Sequence, residues 1–204
     1  MFARPNLHLS ASRRLAAIAS AVLLTIAIAA PVAAAPGLPV PAAGGDYCVT
    51  HLTEPGPDGQ SRADTTCYAS YADSLVAATS GRLRVSPDFR PEDLTQDLLD
   101  DVTPMGVLTN WVIGQDWEHE NRGGAVRTYT VSTSNAPCTG RTWEIDQLDL
   151  GWDQIISSGE GFSGCDRFDH WEDPDQEGAV RTCSTYCATM GVMNDQTSSL
   201  RWRD

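Results

Sequence analysis

Two short strings in the C-terminal half concentrate oxygen donors. Asn194-Asp195-Gln196-Thr197-Ser198-Ser199 and Asp153-Gln154-Ile155-Ile156-Ser157-Ser158 each open on an acid or amide and close on a Ser-Ser pair. Carboxylate, carboxamide, hydroxyl and backbone carbonyl oxygens are hard ligands, and calcium takes about six to eight of them in irregular geometry. A short loop that offers all of these suits such an ion. The same residue types are also ordinary turn formers, whose Ser hydroxyls serve to pin a folded hairpin. Asp195 carries a charge where the other string has the neutral Gln154, so the Asp153 string is expected to bind more weakly.

Other chemistry finds little support. Beyond the first 34 residues the only His are His51, His119 and His170, and none stands in a His-Glu-x-x-His spacing. The cysteines lack Cys-x-x-Cys spacing, so a zinc site is not indicated. Gly161-Phe162-Ser163-Gly164 runs into Cys165 where a nucleophile elbow requires Gly. Acids are abundant, yet spacing alone singles out no catalytic pair. The expectation is a protein that is not an enzyme.

The strings terminate two copies of a longer pattern. Trp117-Glu118-His119-Glu120-Asn121-Arg122-Gly123-Gly124-Ala125-Val126-Arg127-Thr128 aligns without gaps on Trp171-Glu172-Asp173-Pro174-Asp175-Gln176-Glu177-Gly178-Ala179-Val180-Arg181-Thr182, 54 residues later. Each copy reads as an aromatic, four residues, a variable position, one residue, Gly, a strand, and then the oxygen-rich string. This resembles the βγ-crystallin family, whose Greek-key motif is aromatic-x4-aromatic-x-Gly with a later Ser. Its calcium-binding microbial branch carries Asn/Asp-Asn/Asp-x-x-Ser/Thr-Ser. Arg122 and Gln176 depart from the pattern, since they occupy the second aromatic position, and hairpin packing there must differ.

The resemblance implies a mainly β fold of two Greek-key motifs in a β-sandwich over residues 108–204, with repeat one at 113–165 and repeat two at 166–204. It implies calcium as the bound ion, held for structural stability. One site would use Asn194, Asp195, Ser198 and the carbonyl of Gln196, completed near Glu118. The other would use Asp153, Ser157 and the carbonyl of Ile155, completed near Glu172. In such folds Trp117, Trp152 and Trp171 are expected to fill the core. The chain is also similar to secreted metalloproteinase inhibitors of the same fold, which makes an extracellular protease an alternative partner and the insert Ser132–Thr142 the loop to test. A toxin-like or cell-wall-binding role is a further alternative.

The flanking sequence sets the context. Arg13 and Arg14 precede an apolar run from Leu15 to Ala30, short of the roughly 20 residues that span a bilayer. Val32-Ala33-Ala34 then offers a small-residue cleavage context, so residues 1–34 read as a signal peptide and the product as secreted. Residues 35–45 form a Pro/Gly/Ala linker. Residues 46–107 read as a small helical segment: an Ala-rich helix from Tyr68 to Ser80 stopped by Gly81, and a second opened by Pro91-Glu92-Asp93. There is no Lys, and 11 Arg face 27 acids after the leader, so nucleic acid and anionic membranes would repel the chain. A monomer is expected. Six Cys in an exported chain suggest a disulfide framework. Among the many connectivities available, the scheme adopted pairs neighbours within each segment: Cys48 with Cys67, Cys138 with Cys165, and Cys183 with Cys187.

Overall fold

The computed structural model describes residues 45–54 and 61–204. The expected signal peptide, residues 1–34, and residues 35–44 of the expected linker lie outside these residues. The chain forms two sheets with two short helices on one of them.

Repeat one supplies β3 (Thr109–His119), β4 (Gly123–Thr133), β5 (Trp143–Ile145) and β6 (Ser158–Gly161). Repeat two supplies β7 (Arg167–Asp173), β8 (Glu177–Ser184), β9 (Tyr186–Cys187) and β10 (Ser199–Arg203). Each repeat sends its third strand to the other's sheet. β9 pairs with β6, and β5 pairs with β10. The resulting orders are β4-β3-β6-β9 and β5-β10-β7-β8, two interlocked Greek keys related by an internal twofold. Alternation of side chains along a strand sends one set inward from each sheet. Trp111, Ile113, Tyr129, Trp143, Phe168, Leu200 and Trp202 meet there in the core between the sheets.

At the centre of that core, Asp116 on β3 and His170 on β7 occupy equivalent positions of the two repeats. The His170 Nε2 and Asp116 Oδ1 atoms are 2.9 Å apart, and both side chains are almost wholly buried.

The segment 46–107 departs from the helical reading. It opens with β1 (Tyr47–Leu52) and β2 (Ala63–Tyr68), an antiparallel pair that carries Val49 and three Thr. β1 then runs parallel to β4, Tyr47 beside Val126 through Leu52 beside Val131, and so extends the sheet of repeat one to six strands. Residues 46–107 therefore share a sheet with the first repeat. Tyr68 ends β2, and the first helix, α1 (Tyr71–Ala78), starts after it, with the Ser70 hydroxyl accepting from the Asp73 N–H. Ser80 and Gly81 take positive φ and terminate it. Pro91–Asp93 makes a single tight turn, and the second helix, α2, covers Gln96–Val102.

These elements cover the outer face of the first sheet. Tyr71, Leu75, Leu94 and Leu99 pack on Val112, Trp117, Val126 and Phe162 as a second apolar cluster. Disulfides join Cys48 to Cys67 across β1 and β2, Cys138 to Cys165, and Cys183 to Cys187. No cysteine is free among the described residues.

Candidate metal centre

The two β-hairpins are folded by equivalent bonds. At the tip of β3–β4, Asn121 and Arg122 take left-handed backbone, as do Asp175 and Gln176 at the tip of β7–β8. Ser158 Oγ donates to the His119 carbonyl at 2.7 Å and accepts the Arg122 N–H at 3.1 Å. Ser199 Oγ does the same for the Asp173 carbonyl and the Gln176 N–H, at 2.7 and 3.1 Å. The last Ser of each string is thus consumed in pinning its own repeat's hairpin.

The penultimate Ser sits differently. Ser157 N–H donates to the Trp117 carbonyl at 2.9 Å, and Ser198 N–H to the Trp171 carbonyl at 2.8 Å. The two strings also cross: Gln154 N–H reaches the Thr197 carbonyl at 2.9 Å, and Asp195 N–H reaches the Ile156 carbonyl at 3.2 Å. Gln154 and Asp195 both hold positive φ at this crossing, a conformation that Asp tolerates better than most residues.

The outcome is an open cleft of about 490 Å³ lined by Glu118, His119, Glu120, Gln154, Ile155, Ser157, Asn194 and Asp195. Within it Ser157 Oγ donates to Asp195 Oδ1 at 2.9 Å, and Asn194 Nδ2 donates to Asp195 Oδ2 at 3.0 Å. This regroups the residues expected from the sequence. Asn194, Asp195 and Glu118 do come together, but Ser157 and Ile155 join them, while Ser198 does not line the cleft and bonds through its N–H to Trp171 on β7. Gln196 does not line the cleft; its side chain turns back to the Asp195 carbonyl. The cleft thus draws its Ser from one repeat and its Asn-Asp pair from the other. The strand exchange causes this, because it lays each string across the hairpin of its own repeat and beside the string of its partner.

Asp153, the internal equivalent of Asn194, belongs by the same rule with Ser198 and Glu172. Glu118 and Glu172 each accept a backbone N–H of the following strand, from Ala125 at 3.3 Å and Ala179 at 3.2 Å. His119 and Glu120 line the cleft although the motif did not single them out. Their place beside Glu118 on the hairpin was the available signal. Glu120 Oε1 accepts from the Thr189 hydroxyl at 2.8 Å.

The donor set fits a hard cation. Asn194 Oδ1 and Asp153 Oδ1 are buried oxygens without a hydrogen-bond partner among the described residues. No cluster of three or more His, Cys, Asp or Glu suited to a metal occurs among those residues. A cation in the cleft would rely on Asp195 together with neutral oxygens from Ser157, Asn194 and backbone carbonyls, which matches calcium's preference rather than zinc's.

The two departures at the second aromatic position have clear packing. Arg122 lies over the Tyr186 ring at 4.0 Å and forms a two-pronged pair with Glu160 at 2.8 and 2.9 Å. Gln176 donates to the Ile145 carbonyl at 3.2 Å. Trp117 and Trp152 are buried as expected, whereas Trp171 is only partly buried, since among the described residues no helix or further strand covers the outer face of the second sheet. In the insert Ser132–Thr142, Pro137 and Cys138 are buried, and Trp143 Nε1 donates to the Pro137 carbonyl at 2.9 Å.

The exchange of third strands between two Greek keys, together with the paired hairpins, decides the architecture. The fold is βγ-crystallin-like. Several solved βγ-crystallin structures are similar to part of the chain. One from an archaeon is 15% identical, covers 45% of this chain and 96% of that one, and has a TM-score of 0.32. A βγ-crystallin domain from Clostridium beijerinckii is 21% identical over 45% and 97% of the two chains, with a TM-score of 0.33. A βγ-crystallin from Ciona intestinalis is 16% identical over 43% and 94%, with a TM-score of 0.31. At such identities each likeness concerns fold, and the strand exchange seen in this chain carries the assignment. No protein-family model and no curated protein matches the sequence.

Proposed function

We propose that this is an exported, non-enzymatic protein that binds calcium in the Glu118–Ser157–Asp195 cleft and is stabilised by it. The observation that supports this reading is the Ser157–Asp195 contact beside the unpartnered Asn194 Oδ1: oxygens from both repeats converge in an open, acidic cleft. Ser157, Asn194, Asp195 and the Ile155 carbonyl would hold the ion, with Glu118 and Glu120 adding negative charge at the rim. An ion bound only by the folded state stabilises it by mass action, about 2.7 kcal/mol when present at a hundred times its dissociation constant. Because the donors come from two repeats, that energy would resist their separation. The internally equivalent donors Asp153, Ser198 and Glu172 have Gln154 at the position of Asp195, and they would make the weaker site. Three disulfides pairing every cysteine favour export into an oxidising environment.

Calorimetric titration of calcium tests the reading. Ser157→Ala and Asp195→Asn should each weaken the tighter step at least tenfold, and Ser198→Ala should leave that step unchanged. Asn keeps the left-handed backbone at 195 available, so the charge alone is removed. Absence of heat at millimolar calcium would overturn the function. Loss of the tighter step in Ser198→Ala, with Ser157→Ala silent, would overturn the grouping of donors.

A further inference from the structure

The string Gly-Ala-Val-Arg-Thr occurs once on β4 and once on β8, in equivalent places, but the two strands have opposite surroundings. β4 is an interior strand. Its outer edge is occupied by β1 in parallel register, and the Val126 N–H donates to the Asp46 carbonyl at 2.9 Å. β8 is the last strand of its sheet, and Glu177 through Thr182 are all exposed. By the 54-residue equivalence, Val180 and Thr182 turn outward the same backbone groups that Val126 and Thr128 give to β1. An unpaired row of N–H and C=O groups on a six-residue exposed stretch is a template for another strand.

The side chains on β8 indicate which strand. Glu177 and Arg181 lie four residues apart and so on one face of the strand. Neither takes part in an ion pair among the described residues. In an antiparallel pairing of β8 with itself centred on Ala179, Glu177 stands directly opposite the partner's Arg181, and Arg181 opposite the partner's Glu177. Gly178 then faces the partner's Val180, which matches the two outward-facing sets of backbone groups. Opposite charges directly across an antiparallel pair stabilise it. The alternative centre at Arg181 would oppose like charges.

We propose that the open edge of β8 docks a second copy of this chain, through an antiparallel β8–β8 ladder locked by the reciprocal Glu177–Arg181 pairs. The interface is small, so the dimer is weak. The inference is independent of calcium.

Sedimentation equilibrium of the folded chain up to about 1 mM tests it, in about 0.15 M salt to screen repulsion between the acidic copies beyond roughly 8 Å. Glu177→Arg and Arg181→Glu each alter an exposed side chain and should leave the melting temperature unchanged. Each variant alone should dimerise at least tenfold more weakly than the parent. An equimolar mixture of the two should regain dimer, because one copy then carries Arg at both positions and the other Glu at both, so both cross-strand pairs again oppose unlike charges. A parent chain that stays monomeric at about 1 mM, or a mixture no more dimeric than its components, would overturn the proposal.

Discussion

Removing both partners of the Asp116–His170 pair should cost far less than the two single removals added together. The two side chains are 3% and 1% exposed and lie 2.9 Å apart between the sheets. Asp116 Oδ2 and His170 Nδ1 have no other hydrogen-bond partner among the described residues. Tyr129, also in this part of the core, has its phenol pushed well up, first by burial and then by the Asp116 charge. Gly159 packs so closely that an added Cβ would meet Asp116 Oδ1 at 2.5 Å, so little room exists for rearrangement.

His170→Leu leaves a buried carboxyl without its donor. Stranding a buried charge costs about 3–5 kcal/mol, and stranding a neutral buried polar group about 1–3 kcal/mol. Asp116→Ala strands the imidazole, for about 2–3 kcal/mol on the same grounds. The double variant leaves neither group behind, so its cost should fall at least 2 kcal/mol below the sum of the singles. Urea unfolding with disulfides intact measures all three. In the heat-denaturation counterpart, 3 kcal/mol corresponds to about 6–12 °C for a chain of this size. Additivity within about 0.5 kcal/mol, or a single variant costing less than 1 kcal/mol, would refute the reasoning.

Two further outcomes follow from particular residues. His51 has its pKa lowered by desolvation, against a smaller opposing pull from Asp64, and its ring contacts the Thr130 hydroxyl at 3.1 Å. The unfolded chain therefore takes up this proton first as pH falls, so stability is lost just below the ordinary His value of 6.5; His51→Gln should flatten the stability curve just below that value, as read by melting temperature. Trp117 and Trp171 form an internal control, because they hold one position in two repeats, the first fully buried and the second only partly buried. Trp117→Ala should cost about 3–5 kcal/mol in urea unfolding and Trp171→Ala about 1–2 kcal/mol, and equal costs would contradict the one-sided cover.

The doubled hairpin was legible because its residues are local. Trp-Glu, Gly-Ala-Val-Arg-Thr and the closing Ser-Ser recur at fixed distances, and each stands for a turn or strand that the nearby chain can specify by itself. The grouping of donors was not legible. Whether Ser157 faces Asp153 or Asp195 depends on which sheet receives the third strand, and residues between the motifs carry no signal for that exchange. β1 was misread for a related reason. Besides its antiparallel neighbour β2, its six residues are held by a parallel ladder to β4, more than seventy positions away, and no local period of the chain marks that pairing. α1 and the Pro91 turn were closer to expectation, since a Ser cap, a Gly stop and a Pro act over a few residues.

The two repeats also show how cover and composition adapt to each other. Val112 and Phe162 lie beneath the N-terminal elements on the first sheet, and the equivalent positions in repeat two are Asp166 and Arg203. On the second sheet Arg203 pairs with Asp169 at 3.0 Å, and Arg201 pairs with Glu144 at 2.6 Å while lying over Trp171. An apolar outer face exposed to water would be a docking or aggregation surface. Repeat one resolves that with α1, α2 and β1, whereas repeat two resolves it with ion pairs over its one retained Trp. The residues 46–107 are therefore required by the first repeat's own outer face: stripped of them, Val112, Trp117, Val126 and Phe162 would stand open to solvent. The segment acts as the missing outer layer of that repeat, and the asymmetry between the sheets follows from its presence on only one of them.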